Sequence, residues 1–249
     1  MHPNIENKVA VITGGSRGIG FRIAEALLEN GARVVIGARH EDDVRRAAEA
    51  LNQKAGNRAE GATVDVRDYG QVEQLMALAE RKFGGLDILV NNAGIIDQRS
   101  FLEISLDEWN RLIEGNLTNA FLCCKAVLPH MVRQKWGRII NISSTSGLTG
   151  GTSGAHYAAA KAGIVGLTKA LSSEFAPRGI TVNAIVPSKI ETEMLWRSLD
   201  DKGKEALMKK IPVGRFGKPE EIGCLALFLA SERAGYITGE TIVASGGYR

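Results

Sequence analysis

The sequence predicts an α/β protein: a single domain built on a doubly wound sheet of about seven parallel strands, with helices on both faces. Three observations carry this expectation. Short apolar, β-branched runs recur along the chain at "KVAVIT", "RVVIGA", "GATVDV", "LDILVNN", "GRIINIS", "ITVNAIV" and "TIVAS". They are nearly continuous in hydrophobicity, as strands buried on both faces are. Segments of helical periodicity alternate with them, which is how a parallel sheet is connected. The 249 residues fit one large domain, 1–249, and no linker, repeat or low-complexity stretch divides them.

Taken in order, the first strand runs into "TGGSRGIG" and then into "IGFRIAEALLENG", where Ile19, Ile23, Ala26 and Leu27 form an apolar stripe and Gly31 marks a stop. Gly14, Gly18 and Gly20 fall at the strand–turn–helix junction. Bare backbone there lets a pyrophosphate approach, and the positive end of the helix faces it. This is the dinucleotide-binding corner of a Rossmann-type sheet. The second strand ends in "VVIGARH". An acidic residue at that place would bind the ribose 2′-hydroxyl of NAD. Ala38 stands there instead, followed by Arg39, and Arg17 lies in the glycine turn. Two guanidiniums can grip a 2′-phosphate, so NADP(H) is expected over NAD.

The helical segments "EDDVRRAAEALNQ" and "QVEQLMALAERKFG" flank the third strand. Asp65, just after that strand, can accept a hydrogen bond from an adenine amino group or can cap the next helix. The fourth strand ends in "NNAG", Asn91 to Gly94, which puts amides and bare backbone at the ligand crevice. The fifth ends in "NISS". A helix carrying "YAAAK" follows, with Tyr157 and Lys161 four residues apart and therefore on one face. An ammonium beside the phenol is expected to lower its pKa from ~10. His156 is turned away by ~100° on the same helix and is read as non-catalytic. After the sixth strand, residues 188–218 make the longest departure from the alternation, an excursion of the kind that forms substrate loops.

Composition narrows the function. Hydrophobic residues make up 44 % and charged residues 24 %, with a net charge of +3 and no basic block, so no nucleic-acid surface is expected. No apolar run is long enough for a membrane span and the N-terminus lacks a signal-peptide pattern. The three cysteines have no CxxC spacing. Neither a disulfide framework nor a metal site is expected, and a reducing cytoplasm is the default location.

The ordered set "TGGSRGIG", "NNAG", Asn116 in "EGNL", Ser144, "YAAAK" and "NAIVPSKIET" resembles the short-chain dehydrogenase/reductase family over essentially the whole chain. Thirteen residues separate Ser144 from Tyr157, which selects Ser144 over its neighbour Ser143. The resemblance implies that Tyr157 is the proton donor to a carbonyl, or the base in reverse. It implies that Lys161 assists Tyr157 and binds the nicotinamide ribose, that Ser144 hydrogen-bonds the carbonyl oxygen, and that Asn116 holds a water passing protons to Lys161. It also implies cofactor contacts from Ser16, Ile19, Val66, Asn92, Ala93, Gly94, Pro187, Ile190 and Thr192, besides those already named. A homotetramer packed partly through the Tyr157–Lys161 helix is implied as well, with Gly163 and Gly166 extending its small-residue character. The chain departs from the family at Ser188, where Pro-Gly is usual, and in its "VASGGYR" terminus.

Within the family the pattern is most similar to bacterial 3-oxoacyl-[acyl-carrier-protein] reductases, through "GYITGE", "RGITVN" and "IPVGRFGKPEEI". That similarity implies an acyl-carrier substrate docked through Lys135 and Arg178. Sugar, polyol or other small-ketone dehydrogenases share most of these motifs and form the alternative reading. A nucleotide-binding regulator without chemistry is the alternative of another class.

Overall fold

The computed structural model describes residues 3–151, 153–193, 195 and 200–248. The seven strands are β1 (Val9–Thr13), β2 (Arg33–Ala38), β3 (Ala59–Thr63), β4 (Ile88–Asn91), β5 (Gly137–Ile142), β6 (Ile180–Pro187) and β7 (Thr241–Ala244). All pair in parallel, in the order β3-β2-β1-β4-β5-β6-β7. Every residue of β1, β4, β5 and β6 is buried, which is why these runs are mostly apolar, with Thr13, Asn91, Arg138, Asn141, Thr181 and Asn183 as the buried polar exceptions. One difference from the sequence reading falls at the sheet edge. β3 pairs Ala59 to Thr63 with Val34 to Ala38, and the Val64 N–H makes one last bond to the Ala38 carbonyl at 2.8 Å before the chain turns away, with Val64 and Val66 buried in the core.

Helices α1 (Gly18–Glu29), α2 (Glu41–Ala55), α3 (Tyr69–Phe83), α4 (Leu106–Ile113), α5 (Asn119–Gln134), α6 (Ser146–Thr149), α7 (Ala155–Phe175), α8 (Asp201–Met208) and α9 (Pro219–Ala230) cover the two faces. On one face Ile23 and Leu27 of α1 pack with Ile222 and Leu229 of α9 over Ile12 and Ile36. On the other, Val72 and Leu75 of α3 meet Val127 and Met131 of α5 over Val11 and Leu89. Each such side chain contributes ~1.5–3 kcal/mol by leaving water. Of the predicted α1 stripe, Ile23 and Leu27 are fully buried, while Ile19 and Ala26 are partly so. α1 and α9 cross closely: a Cβ on Gly223 would lie 2.8 Å from the Arg22 carbonyl oxygen.

Local signals set the helix ends. Asp68, rather than Asp65, caps α3 by accepting from the Gln71 N–H, and Gly84 closes the helix in the left-handed conformation. Ser105 and Glu108 form a reciprocal capping box at α4. Between α4 and α5 the helix does not break. It widens into a π turn at Glu114–Thr118, a feature common at functional sites. No helix among the described residues is long and apolar enough to cross a membrane.

Residues 194 and 196–199 of the expected 188–218 excursion lie outside the described residues, and the described limbs on either side meet at one neck. Ile190 bridges Gly217, and the Gly217 N–H donates to the Lys189 carbonyl at 2.9 Å. The unusual terminus packs on its return limb, where the Val213 N–H donates to the Gly246 carbonyl at 3.1 Å. Ser188 sits at the neck, its N–H donating to the Ala244 carbonyl at 3.1 Å and its Oγ 3.3 Å from Thr145 Oγ1.

Candidate active site

The strand order reverses between β1 and β4, and the crevice outside their carboxyl ends is where a doubly wound sheet takes its ligand. The glycine turn leads into it. Gly14 and Gly18 have φ of +64° and +56°, conformations that favour glycine. A Cβ on Gly20 would lie 2.3 Å from the Gly14 carbonyl oxygen, and one on Gly14 would lie 2.8 Å from Asn92 Nδ2. Backbone is thus packed too tightly for side chains, leaving bare N–H groups at the start of α1. This cradle fits the pyrophosphate of a dinucleotide.

Thr13 and Asn92 hold the cradle in shape. Thr13 Oγ1 accepts from the Asn92 and Ala93 N–H groups, both at 3.1 Å. Asn92 Nδ2 donates to the carbonyls of Thr13 and Gly14, both at 3.0 Å. The Asn92 side chain is therefore spent on the turn, and Thr13 is a site residue that sequence reasoning missed. The other expected cofactor residues fall around the same crevice. Ser16 is half-buried beside exposed Arg17. The side chains of Ile19, Val66 and Ile190 pack in the core, so any contact they make to a cofactor must come from their backbone. Thr192 comes to the turn from the excursion, its methyl 3.6 Å from a Cβ placed on Gly18. Pro187 ends β6 and accepts from the Thr145 N–H at 3.2 Å.

Arg39 is exposed just past β2. Asp65 is gripped by Arg67, whose Nε donates to Oδ1 at 3.0 Å and whose Nη2 donates to Oδ2 at 2.5 Å. These bonds hold the Asp65 carboxyl below its ordinary range, with a smaller contribution from Arg39. Arg67 carries no motif signal and was not anticipated.

At the other side of the crevice β5, α6 and α7 bring the catalytic candidates together. Ser144 Oγ accepts from the Ser146 N–H at 3.2 Å and lies beside the Tyr157 phenol, where it favours the phenolate. Ser143 turns the other way, and its Oγ donates to the Lys161 carbonyl at 2.7 Å. Lys161 is buried, and its Nζ donates to the Ile142 carbonyl at 3.0 Å and lies 5.7 Å from the Tyr157 ring centre. Gly147 lets α6 lie directly on α7, since a Cβ there would be 2.6 Å from the Lys161 carbonyl carbon. Asn116, in the π turn, donates from Nδ2 to the carbonyls of Ile95 and Leu112, both at 2.9 Å, and accepts from the Ile95 N–H at 3.2 Å. It faces Lys161 across Gly94: a Cβ on Gly94 would lie 2.7 Å from Asn116 Oδ1 and 3.4 Å from Lys161 Nζ. Asn119, also unforeseen, donates to the Ala93 carbonyl at 3.1 Å. Asn116 in the π turn and Asn119 at the start of α5 thus clamp the loop after β4 at Ile95 and Ala93. His156 is buried and its Nδ1 accepts from the Tyr157 N–H at 3.0 Å, which satisfies a free donor at the start of α7.

One expectation is corrected. The phenol of Tyr157 is raised above its ordinary value, because burial disfavours the phenolate more than Ser144 favours it. Burial also lowers the Lys161 ammonium, to about 8. The ammonium does not dominate the phenol because its hydrogen bond goes to Ile142 and both groups are desolvated. Cys123 and Cys124 are buried, and burial pushes the Cys124 thiol up to about 12, so neither presents a thiolate.

The two residues expected to dock a carrier lie elsewhere. Lys135 and Arg178 are both exposed, and they are neighbours in space: a Cβ on Gly179 would lie 2.3 Å from the Lys135 carbonyl oxygen. They precede β5 and β6, so the length of the strands, ~20 Å at ~3.3 Å per residue, separates them from Ser144.

A family model described as enoyl-(acyl carrier protein) reductase matches residues 14–249. The 3-oxoacyl-[acyl-carrier-protein] reductase of Vibrio cholerae is 43 % identical over 244 residues, covering 98 % of each chain. That of Aquifex aeolicus is 41 % identical over 247 residues, covering 99 % of each. A crystal structure from Sinorhizobium meliloti 1021, assigned provisionally to the short-chain alcohol dehydrogenases, superposes with a TM-score of 0.94 at 38 % identity, covering 100 % of this chain and 98 % of that one. With a cradle for a dinucleotide on one side of the crevice and a serine–tyrosine–lysine cluster on the other, the chain belongs to the short-chain dehydrogenase/reductase family and is an NAD(P)-dependent oxidoreductase acting on a carbonyl/alcohol pair.

Proposed function

We propose that the protein reduces the 3-oxo group of an acyl chain, carried on an acyl carrier protein or coenzyme A, with NADPH as the reductant. The observation that carries this reading is the full-length likeness to 3-oxoacyl-[acyl-carrier-protein] reductases at 41–43 % identity. The Ser144–Tyr157 contact beside the dinucleotide cradle supports it. A bound reduced nicotinamide supplies the hydride that makes the new C–H bond. The chain's own residues handle the oxygen. Ser144 donates a hydrogen bond to the carbonyl oxygen as negative charge builds on it, where a water-poor site makes such a bond most effective. Tyr157 gives that oxygen its proton. A phenol raised by burial stays protonated at neutral pH, which suits the reductive direction. Lys161, about 8 and across Gly94 from Asn116, is the group through which the proton is replaced by way of a water at Asn116. It also holds the nicotinamide ribose.

NADPH is favoured over NADH because Ala38 leaves no carboxylate at the end of β2, while Arg39, just past that strand, and Arg17, in the glycine turn, are exposed guanidiniums that suit a 2′-phosphate. Lys135 and Arg178 form a small basic spot for an acidic carrier, whose acyl group would reach the crevice on a flexible arm. The 188–218 excursion supplies the substrate loop. A homotetramer is supported by two facts. Gly166 on α7 has nothing within 4 Å of an added Cβ, so internal packing does not explain it. Phe101, Leu102, Leu106 and Phe121, and separately Phe228, Tyr236 and Val243, leave large apolar groups exposed.

The test is a steady-state comparison of acyl-carrier, acyl-coenzyme A, simple ketone and sugar substrates with NADPH. The acyl substrates are expected to have the highest kcat/KM. A sugar or polyol preferred by a wide margin leaves the reaction class standing and removes the acyl reading.

A further inference from the structure

Beside the glycine turn lies a cavity of about 530 Å³ lined by Ser16, Arg17, Asp43, Arg46, Ala47 and Glu193. It brings together three parts of the chain: the turn before α1, the first turns of α2, and the start of the excursion. Two guanidiniums line it, and each is held by a carboxylate. Arg46 Nη2 is 2.6 Å from Asp43 Oδ1, a pairing within one helix turn that the helix itself maintains. Arg17 Nη1 is 3.3 Å from Glu193 Oε2, a pairing between residues 176 positions apart. Both members of this second pair are more than half exposed, so water screens their attraction and little is lost when it opens.

We infer that Glu193 is a cofactor-specificity residue: its carboxylate competes with the 2′-phosphate of the cofactor for Arg17. This rests on the NADP(H) reading above and deepens it. A phosphate entering the cavity needs the guanidinium that Glu193 occupies, and the two anions also repel each other at close range. A 2′-hydroxyl has no charge and does not compete. Glu193 therefore lowers affinity for the phosphorylated cofactor without touching the other, and sets how strongly the protein discriminates between them.

The experiment is binding of NADPH and NADH, without substrate, followed by reduced-nicotinamide fluorescence in wild type, Glu193→Gln and Glu193→Asp. Glu193→Gln should bind NADPH roughly twofold to fivefold more tightly, the range of an exposed ion pair, and NADH unchanged. Glu193→Asp, which keeps the charge, should stay close to wild type. The gain should shrink at high salt. Unchanged NADPH affinity in Glu193→Gln, or an equal gain for NADH, overturns the competition while a wild-type preference for NADPH leaves the cofactor reading intact. A wild type that prefers NADH defeats the cofactor reading and this inference with it.

Discussion

Ser143 and Lys161 are joined: the serine Oγ donates to the lysine backbone carbonyl at 2.7 Å, while the lysine Nζ reaches back to Ile142 at 3.0 Å. This pair of bonds stitches α7 to the end of β5. It leaves Ser144, the next residue, to face Tyr157. Two adjacent serines thus do different work, and this should be separable. Ser144→Ala is expected to lower kcat with little change in stability. Ser143→Ala removes a buried hydrogen bond that adds to the one the Lys161 carbonyl makes within α7, and should cost ~1 kcal/mol, or roughly 2–4 °C in Tm for a chain of this size. Thermal unfolding and steady-state kinetics on both variants check this, and reversed phenotypes would sink the assignment.

Tyr157→Phe removes the proton donor and keeps the ring. Turnover should fall by ~10²–10⁴, with far-ultraviolet circular dichroism and cofactor affinity close to wild type. Near-normal turnover would be fatal to the proton-transfer role.

Lys161 gives a prediction in pH. Its folded value, about 8, lies below the ordinary lysine value. Between about 8 and the unfolded value of ~10.4 the unfolded chain holds a proton that the folded chain has released, so stability rises with pH across that window. The slope from this group is about 1 kcal/mol per pH unit once past its folded value. Urea unfolding at pH 7.5, 8.5 and 9.5 should show the rise in wild type and its loss in Lys161→Met. Parallel curves for the two proteins would contradict the buried-ammonium account.

Arg39→Ala should weaken NADPH binding about tenfold or more, the value of a charged hydrogen bond, and leave NADH nearly untouched. Titration of both cofactors decides it. Equal losses would show that Arg39 does not read the phosphate.

Lys135 and Arg178 lie far from the catalytic cluster, so their replacement by Glu should not touch hydride transfer. The double variant should raise the apparent KM for an acyl-carrier substrate and make it less sensitive to salt. Activity on a small soluble 3-oxoester should stay close to wild type. A matching loss on the small ester would mean a folding defect rather than a docking role.

The sequence by itself determined the sheet, its parallel pairing and its helices, because these depend on local periodicity: buried strands read as apolar runs, and α1 and α7 carry their spacing in the chain. It also determined that Tyr157 and Lys161 share a face, since four residues along one helix can do nothing else. Partners brought from distant segments were decided by the tertiary structure. Thr13 and Asn119 have ordinary local contexts, and only the approach of β1, β4 and α5 makes them clamps on the "NNAG" loop. Asp65 was legible as a carboxylate just after the third strand, but Arg67 settled its charge partner. The sign of the Tyr157 shift was misjudged for the same reason. Helical spacing fixes which groups are neighbours, whereas a pKa depends on how much water the surrounding fold removes, and that is set by elements far away in sequence closing over α7.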